Sequence, residues 1–408
     1  MSKVFSSATE WLMRHRSSLP GWMNRAMESV ARNPDGVLGR VAARLLGGNA
    51  EVAATTVPNT ALRLYIAPTN YSGQAYAWAR AVEEYDPRIG ARNVAVELPG
   101  SYRFPADSRV PIATTTASAQ WADAEWAAAQ QFTHVLIEAE RSLFGRRFDR
   151  DPAREIAALQ AAGLSVAYLC HGTDIRDPAA HARRTPWSPY PDDPRTAALQ
   201  ADAERNLALL RAVPLPTFVS TPDLLDDVPD AIWCPVVIDV ARFAAERPVF
   251  SDGLPTLMHA SSSAVQKGSH LIEPALAPLL ASGRAAYRLV TGASSVEMPG
   301  LYASTDIVLD QFRLGSYGVA ACEAMAAGRV VVGHVLPNVR QRVLERTGLS
   351  LPIIEATPDT LGQVIAGILD HPEEAQRIAA RGPAFVSAVH SGSASARVLV
   401  GEWIEATS

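Results

Sequence analysis

The sequence predicts an α/β protein built from two doubly wound parallel-sheet units in succession, and three observations carry that prediction. From Leu62 onward, short β-branched or apolar runs alternate with Ala-rich helical stretches. The runs are continuously apolar and not alternating, the pattern of parallel strands covered on both faces. The 408 residues suffice for two full cores at about 100–200 residues per domain.

Residues 1–58 read as a helical extension. VFSSATEWLMRHRSS and LGRVAARLLGG place apolar residues at helical spacings with arginines between them. Within residues 1–48, seven basic residues (Lys3, Arg14, Arg16, Arg25, Arg32, Arg40, Arg44) stand against three acids (Glu10, Glu28, Asp35), a balance of +4. Such a segment either lies on an anionic membrane surface, with Trp11, Leu12 and Trp22 among the headgroups, or packs on the globule with its arginines in water.

The first unit, 59–240, carries the strand runs LRLYIAP, NVAVELP, HVLIEA, SVAYLC, TFVST and IWCPVVI. Between them, AYAWARAVEE, AREIAALQAAG and TAALQADAERNLALLRAV have helical composition. The stretch 177–195 holds Pro178, Pro186, Pro189, Pro191 and Pro194, too many for a helix or a central strand. It is expected to be a long loop, and such loops are often lids or binding loops. Near 239–254 the pattern breaks into charge, Pro and Gly, which places the boundary there. The second unit, 241–385, follows with TLMHAS, YRLVTG, DIVLDQF and RVVVGHV, and with the helical run GVAACEAMAAG.

Composition excludes several classes. Hydrophobic residues at 48% and charged residues at 19% lie in the globular range. A net charge of −5 provides no basic field for nucleic acid. Cys170, Cys234 and Cys322 are too few and too scattered for a disulfide framework or a zinc site, so a reducing cytoplasm fits. No run approaches the ~18 apolar residues of a membrane span, and the N-terminus lacks the apolar core of a secretion signal.

In a doubly wound sheet, ligands bind beyond the carboxyl ends of the strands. Gly315 and Gly318 allow a tight strand-to-helix turn after DIVLDQF, and the amides of the next helix form an anion site suited to a phosphate. Glu323 is a carboxylate among Val, Ala, Cys and Met neighbours. It must reach solvent, pair with protein groups, or take ligand hydroxyls such as those of a ribose. Glu138 and Glu140 share a face if the chain stays extended, where they are either a structural strand-end pair or open to a ligand hydroxyl. Arg141, Arg146, Arg147, Arg150 and Arg154 form either a phosphate-binding cluster or a solvated charged loop. Trp187 and Tyr190 either stack on a sugar or pack the Pro-rich loop, and Asp174 reads as a helix cap.

The stretch LGSYGVAACEAMAAGRVVV resembles the donor-site signature of retaining GT-B glycosyltransferases of the family 4 type, glycosyl transferases group 1. SSAVQKGSHLIEPAL resembles that family's Lys-Gly turn, CPVVIDVARF its interdomain motif with Val237 in place of glycine, NYSGQAYAWARAVEE its first glycine loop and HGTDIR its His-Gly turn. The similarity covers about residues 62–408. It implies two Rossmann-like domains facing a central cleft, and a C-terminal helix over 386–408 that crosses back to the first domain.

By the same resemblance, Glu323 binds the ribose of a sugar nucleotide and Lys267 its diphosphate, while the amides of Ser316, Tyr317 and Gly318 support the phosphates. His171 faces the donor sugar, and Gly73 leaves room for diphosphate and acceptor. The family's first glutamate falls on Gly315, so Asp310, Gln311 or Arg313 takes over its work. The family's other basic residue falls within 261–263, leaving the departing charge to Lys267 and Arg313. Glu138, Arg146 and Arg147 stand on the acceptor side.

The implied activity is metal-independent transfer of a sugar, with retention, from a nucleotide-sugar substrate to a saccharide or lipid-linked acceptor, as in surface polysaccharide synthesis. No separate cofactor is implied, and peripheral membrane contact would run through residues 1–58. A sugar-nucleotide epimerase and an inactive nucleotide-binding module are the rival readings.

Overall fold

A computed structural model describes residues 51–98, 101–251, 253–261 and 263–406. Most of the expected N-terminal extension lies outside the described residues; 51–58 are described and form no helix. There Thr55 donates through its amide and hydroxyl to the buried Glu125 carboxylate, at 2.9 and 2.6 Å.

Twelve strands are present among the described residues: β1 (Leu62–Ala67), β2 (Ile89–Glu97), β3 (Ser108–Pro111), β4 (His134–Glu138), β5 (Ser165–Cys170), β6 (Thr217–Val219), β7 (Ile232–Trp233), β8 (Thr256–Ala260), β9 (Ala286–Val290), β10 (Ile307–Leu309), β11 (Val330–Gly333) and β12 (Ile354–Glu355). They form a seven-stranded sheet ordered β3-β2-β1-β4-β5-β6-β7 and a five-stranded sheet ordered β12-β11-β10-β8-β9. The registered pairs are parallel. Both orders are doubly wound: strand order reverses between β1 and β4 in the first sheet and between β8 and β10 in the second.

The chain divides into two compact units, Met1–Leu169 with Trp403–Ser408, and Cys170–Glu402. In the first, β4 is buried along its whole length. The C-terminal Trp403 belongs to this unit: its indole N–H donates to Ser165 Oγ at 2.8 Å, and its ring meets His134 edge-on at 5.2 Å. The segment from 386 carries the end of the helix Gly382–Val389, the helix Ser393–Leu399 and the π-helical turn Val400–Ile404.

In the second unit, the two-residue period of the strands sorts side chains onto opposite faces. Leu257, Ile307, Leu309, Val330 and Val332 pack with Ile272, Leu276 and Ile365. Met258, Val308 and Val331 pack with Tyr302, Ala321, Met325 and Phe385. Each fully buried Leu, Ile or Val stabilises the fold by about 1.5–3 kcal/mol relative to exposure.

Three expectations need correction. The stretch 177–195 is not loop throughout, because Pro178–Arg184 is helical. Pro178 occupies the first helical turn, where no amide hydrogen bond is lost, and Asp177 caps it by accepting from Ala180 N at 2.8 Å. The other four prolines all follow this helix. Glu138 and Glu140 do not share an extended face either: Ala139 and Glu140 both adopt a φ of 54°, turning the chain at the strand end. Finally, Asp174 folds back onto the amides of His171 and Gly172, so it closes the turn after β5.

Candidate functional site

Each sheet presents polar residues at its reversal point. In the first unit the loop after β1 runs through Asn70 and Ser72, both at positive φ, to Gly73 at φ 76°, which starts the helix Gln74–Tyr85. A Cβ at Gly73 would lie 3.1 Å from that of Phe104, so a side chain there is both strained and crowded. Glu138, fully buried at the end of β4, accepts from the amides of Thr69 and Asn70 at 3.0 and 3.1 Å. It therefore shapes the glycine loop. Arg146 and Arg147 are exposed in a turn. Arg147 pairs with Asp123 and lies 5.7 Å from the centre of the Trp126 ring.

In the second unit the residues after β8 and β10 meet at the reversal point. His259, buried in β8, holds Leu309 O at 2.7 Å through Nδ1 and Ser269 Oγ at 2.8 Å through Nε2, fixing the base of the Lys267 turn. Lys267 Nζ donates to Asp310 Oδ1 at 3.1 Å and to Ala260 O at 3.2 Å. Lys267 O accepts from Phe312 N at 3.0 Å. Lys267, expected at the diphosphate, and Asp310, one of three residues expected to replace a sugar-binding glutamate, are thus in contact.

Beyond Asp310 the chain makes the glycine turn. Gly315 has φ 69°, and a Cβ there would lie 2.5 Å from Leu336 Cγ. No glutamate fits that position without displacing Leu336. The Ser316 hydroxyl donates to Asp223, and Ser316 O accepts from the Gln311 side chain. Tyr317 turns into the core, its hydroxyl 3.4 Å from His390 Nε2. A Cβ at Gly318 would meet open space. The helix Val319–Ala326 then begins without a side-chain cap, so its first amides are available to an anion.

Glu323 lies one turn into that helix, partly buried. Its Oε2 receives the Tyr302 hydroxyl at 3.1 Å, while Oε1 has no hydrogen-bond partner among the described residues. Burial pushes its pKa up to about 7, opposed by the Tyr302 hydrogen bond and by the charges of Arg242 and Lys267. A carboxyl with a pKa near 7 and one oxygen free among the described residues is equipped to receive a ligand hydroxyl.

His171 follows β5, partly exposed, with its amide held by Asp174 and its carbonyl accepting from the Ser220 hydroxyl at 3.2 Å. Arg313 is buried and turns toward the Pro-rich stretch, where Tyr190 is also buried, edge-on to His181 at 5.3 Å. Sequence reasoning missed His334, the polar residue directly after the β11 run. Its Nδ1 lies 2.7 Å from Glu355 Oε1, and its buried Nε2 has no partner among the described residues.

No family model matches the chain, and no curated protein matches it in sequence. Solved structures do match. Sucrose-phosphate synthase (tll1590) from Thermosynechococcus elongatus is 12% identical, with 84% of this chain and 98% of that chain covered and a TM-score of 0.54. Anabaena Alr3699/HepE, in complex with UDP-glucose, is 12% identical over 83% and 99%, with a TM-score of 0.52. A glycosyltransferase from Rickettsia africae ESF-5 is 12% identical over 85% and 99%, also at 0.52. These likenesses, with the two parallel sheets, show the GT-B fold.

Proposed function

We propose that this protein is a nucleotide-sugar-dependent glycosyltransferase. The observation that carries the reading is the cluster at one sheet-reversal point: Lys267 paired with Asp310, an uncapped helix N-terminus behind a glycine turn, and Glu323 with one free oxygen. A nucleoside diphosphate sugar offers matching groups. Its ribose hydroxyls suit Glu323, its diphosphate suits Lys267 and the amides of Ser316, Tyr317 and Gly318, and its sugar hydroxyls suit Asp310 in place of the glutamate absent at Gly315. Alr3699/HepE of the same fold is described in complex with UDP-glucose.

His171 contributes to the sugar side, Gly73 leaves room for diphosphate and acceptor, and Glu138, Arg146 and Arg147 stand on the acceptor side, in a saccharide or lipid-linked acceptor route such as surface polysaccharide synthesis. Transfer proceeds with retention. The bond from the anomeric carbon to the diphosphate oxygen breaks, the acceptor oxygen bonds that carbon on the same face, and the acceptor proton passes to the departing phosphate. Fixed cations and amide dipoles stabilise the leaving charge without a metal.

A screen of UDP, GDP, ADP and TDP by thermal shift tests this reading. A ligand at a hundredfold excess over Kd stabilises the fold by about 2.7 kcal/mol, a readable shift. We expect one clear stabiliser in the absence of metal. Glu323→Ala should lose most of the shift for every nucleotide form. Lys267→Ala should weaken the diphosphate far more than the nucleoside, by about 1.5–3 kcal/mol for a charge-assisted contact. No stabiliser, or a Glu323 variant that responds like the parent, overturns the reading. The steric exclusion of glutamate at Gly315 favours a second reading, a nucleotide-binding module without transfer. It takes the lead if nucleotide binds but Asp310→Ala leaves sugar-nucleotide turnover unchanged.

A further inference from the structure

The Pro-rich stretch is bound to the glycine turn by side chains buried on both partners. Arg313 Nε donates to Trp187 O at 3.0 Å, and its Nη2 donates to Ser188 O at 2.7 Å and to Asp192 Oδ2 at 2.6 Å. His181 stands 3.1 Å from Leu314 O through Nε2 and 2.8 Å from Ser188 Oγ through Nδ1. The Leu314 carbonyl only accepts, so Nε2 carries the proton and Nδ1 accepts from the Ser188 hydroxyl. Two residues on, Ser316 donates to Asp223, which forms a buried ion pair with Arg176 at 2.6 Å. The stem of Arg313 lies directly under the Lys267 turn, because a Cβ at Gly268 would be 2.9 Å from Arg313 Cγ.

We infer that Arg313 and His181 are positioning residues for the phosphate-binding turn, which they fasten to residues 185–195, and that Arg313 does not itself neutralise the leaving group. This rests on the glycosyl-transfer reading above. Two of the three guanidinium nitrogens are committed to protein oxygens, and the third is sealed from water. A planar fork spanning two adjacent carbonyls and a carboxylate fixes a loop in a way that a single ammonium cannot. Residues 185–195 thus act as a fixed buttress behind the turn whose amides face the diphosphate.

The test compares Arg313→Ala, Arg313→Lys and His181→Phe with the parent, reading Kd for UDP, GDP, ADP and TDP and for the corresponding nucleosides, with amide hydrogen exchange across 314–321. We expect Arg313→Ala and His181→Phe to weaken the diphosphate that binds the parent about tenfold while the nucleoside changes less than threefold. Exchange across 314–321 should rise in both, without ligand. Arg313→Lys should behave like Arg313→Ala. Restoration by lysine assigns Arg313 a direct charge contact and overturns the proposal, as does unchanged exchange in Arg313→Ala. If that variant does not fold, His181→Phe decides by the same two readings. If no nucleotide binds the parent, the glycosyl-transfer reading falls and the positioning role with it, while the exchange measurement still decides whether the turn is fastened.

Discussion

Glu155 and Glu138 show how single buried carboxylates shape this protein. Glu155 is fully buried and accepts from the Ser142 hydroxyl and Leu143 N at 2.7 Å each and from Phe144 N at 3.2 Å. Nothing in its sequence neighbourhood marks it, since its donors stand eleven to thirteen positions earlier. Glu323 was legible because a lone acid among alanines must have a partner. Burial pushes both Glu155 and Glu323 up to about pKa 7. A carboxyl whose folded pKa is raised holds its proton more tightly in the folded state. Its contribution is present in full below the unfolded value near 4.5 and is lost as pH rises through about 7. Glu323→Gln removes one of these two titrations and keeps an acceptor for Tyr302. Urea denaturation of this variant should therefore show a shallower fall of stability between pH 5 and 7.5 than the parent. An identical slope would mean that Glu323 titrates in its ordinary range.

At the scale of elements, legibility followed apolar content. Every strand read from a continuous apolar run is present, but β3 and β12 were not seen. β3 buries only Val110 of its four residues, and β12 is a two-residue edge strand, so neither has the hydrophobic signal on which strand recognition rests. The helix Pro178–Arg184 was hidden for a different reason: counting prolines ignores that one at the first helical position is favourable. Its cap gives an element-scale prediction. Asp177→Ala should destabilise the protein by about 1 kcal/mol, measured as a lower urea midpoint with unchanged slope. Asp177→Asn should avoid most of this loss, because the amide oxygen still accepts from Ala180 N. Equal losses in both variants would show that charge, and not the cap, is what Asp177 supplies.

At the scale of the whole molecule, the site was legible where topology and chemistry coincide: Lys267 and Asp310 were named from separate strand ends, and the strand reversal between β8 and β10 makes those ends neighbours. His334 and the Arg313 contacts were not legible, because each depends on partners twenty or more residues away. No helix among the described residues is long and apolar enough to cross a membrane. Charge is nevertheless distributed unevenly along the chain. Residues 1–48 carry +4 of a total of −5, which leaves −9 on residues 49–408. An acidic body is repelled by anionic lipid, so any attraction must come from the basic segment with its interspersed Trp and Leu. Co-sedimentation with phosphatidylglycerol vesicles should therefore pellet the full chain and leave a 51–408 variant in the supernatant. Neutral phosphatidylcholine vesicles should retain little of either. Raising the salt from 50 to 500 mM should release most of the full chain, since surface charges are screened over only a few ångströms at that strength. Nucleotide thermal shifts of the shortened protein should match those of the full chain, because every residue proposed to hold the donor, Gly73 included, lies beyond residue 50. Equal partitioning of the two proteins would assign residues 1–48 to packing on the globule.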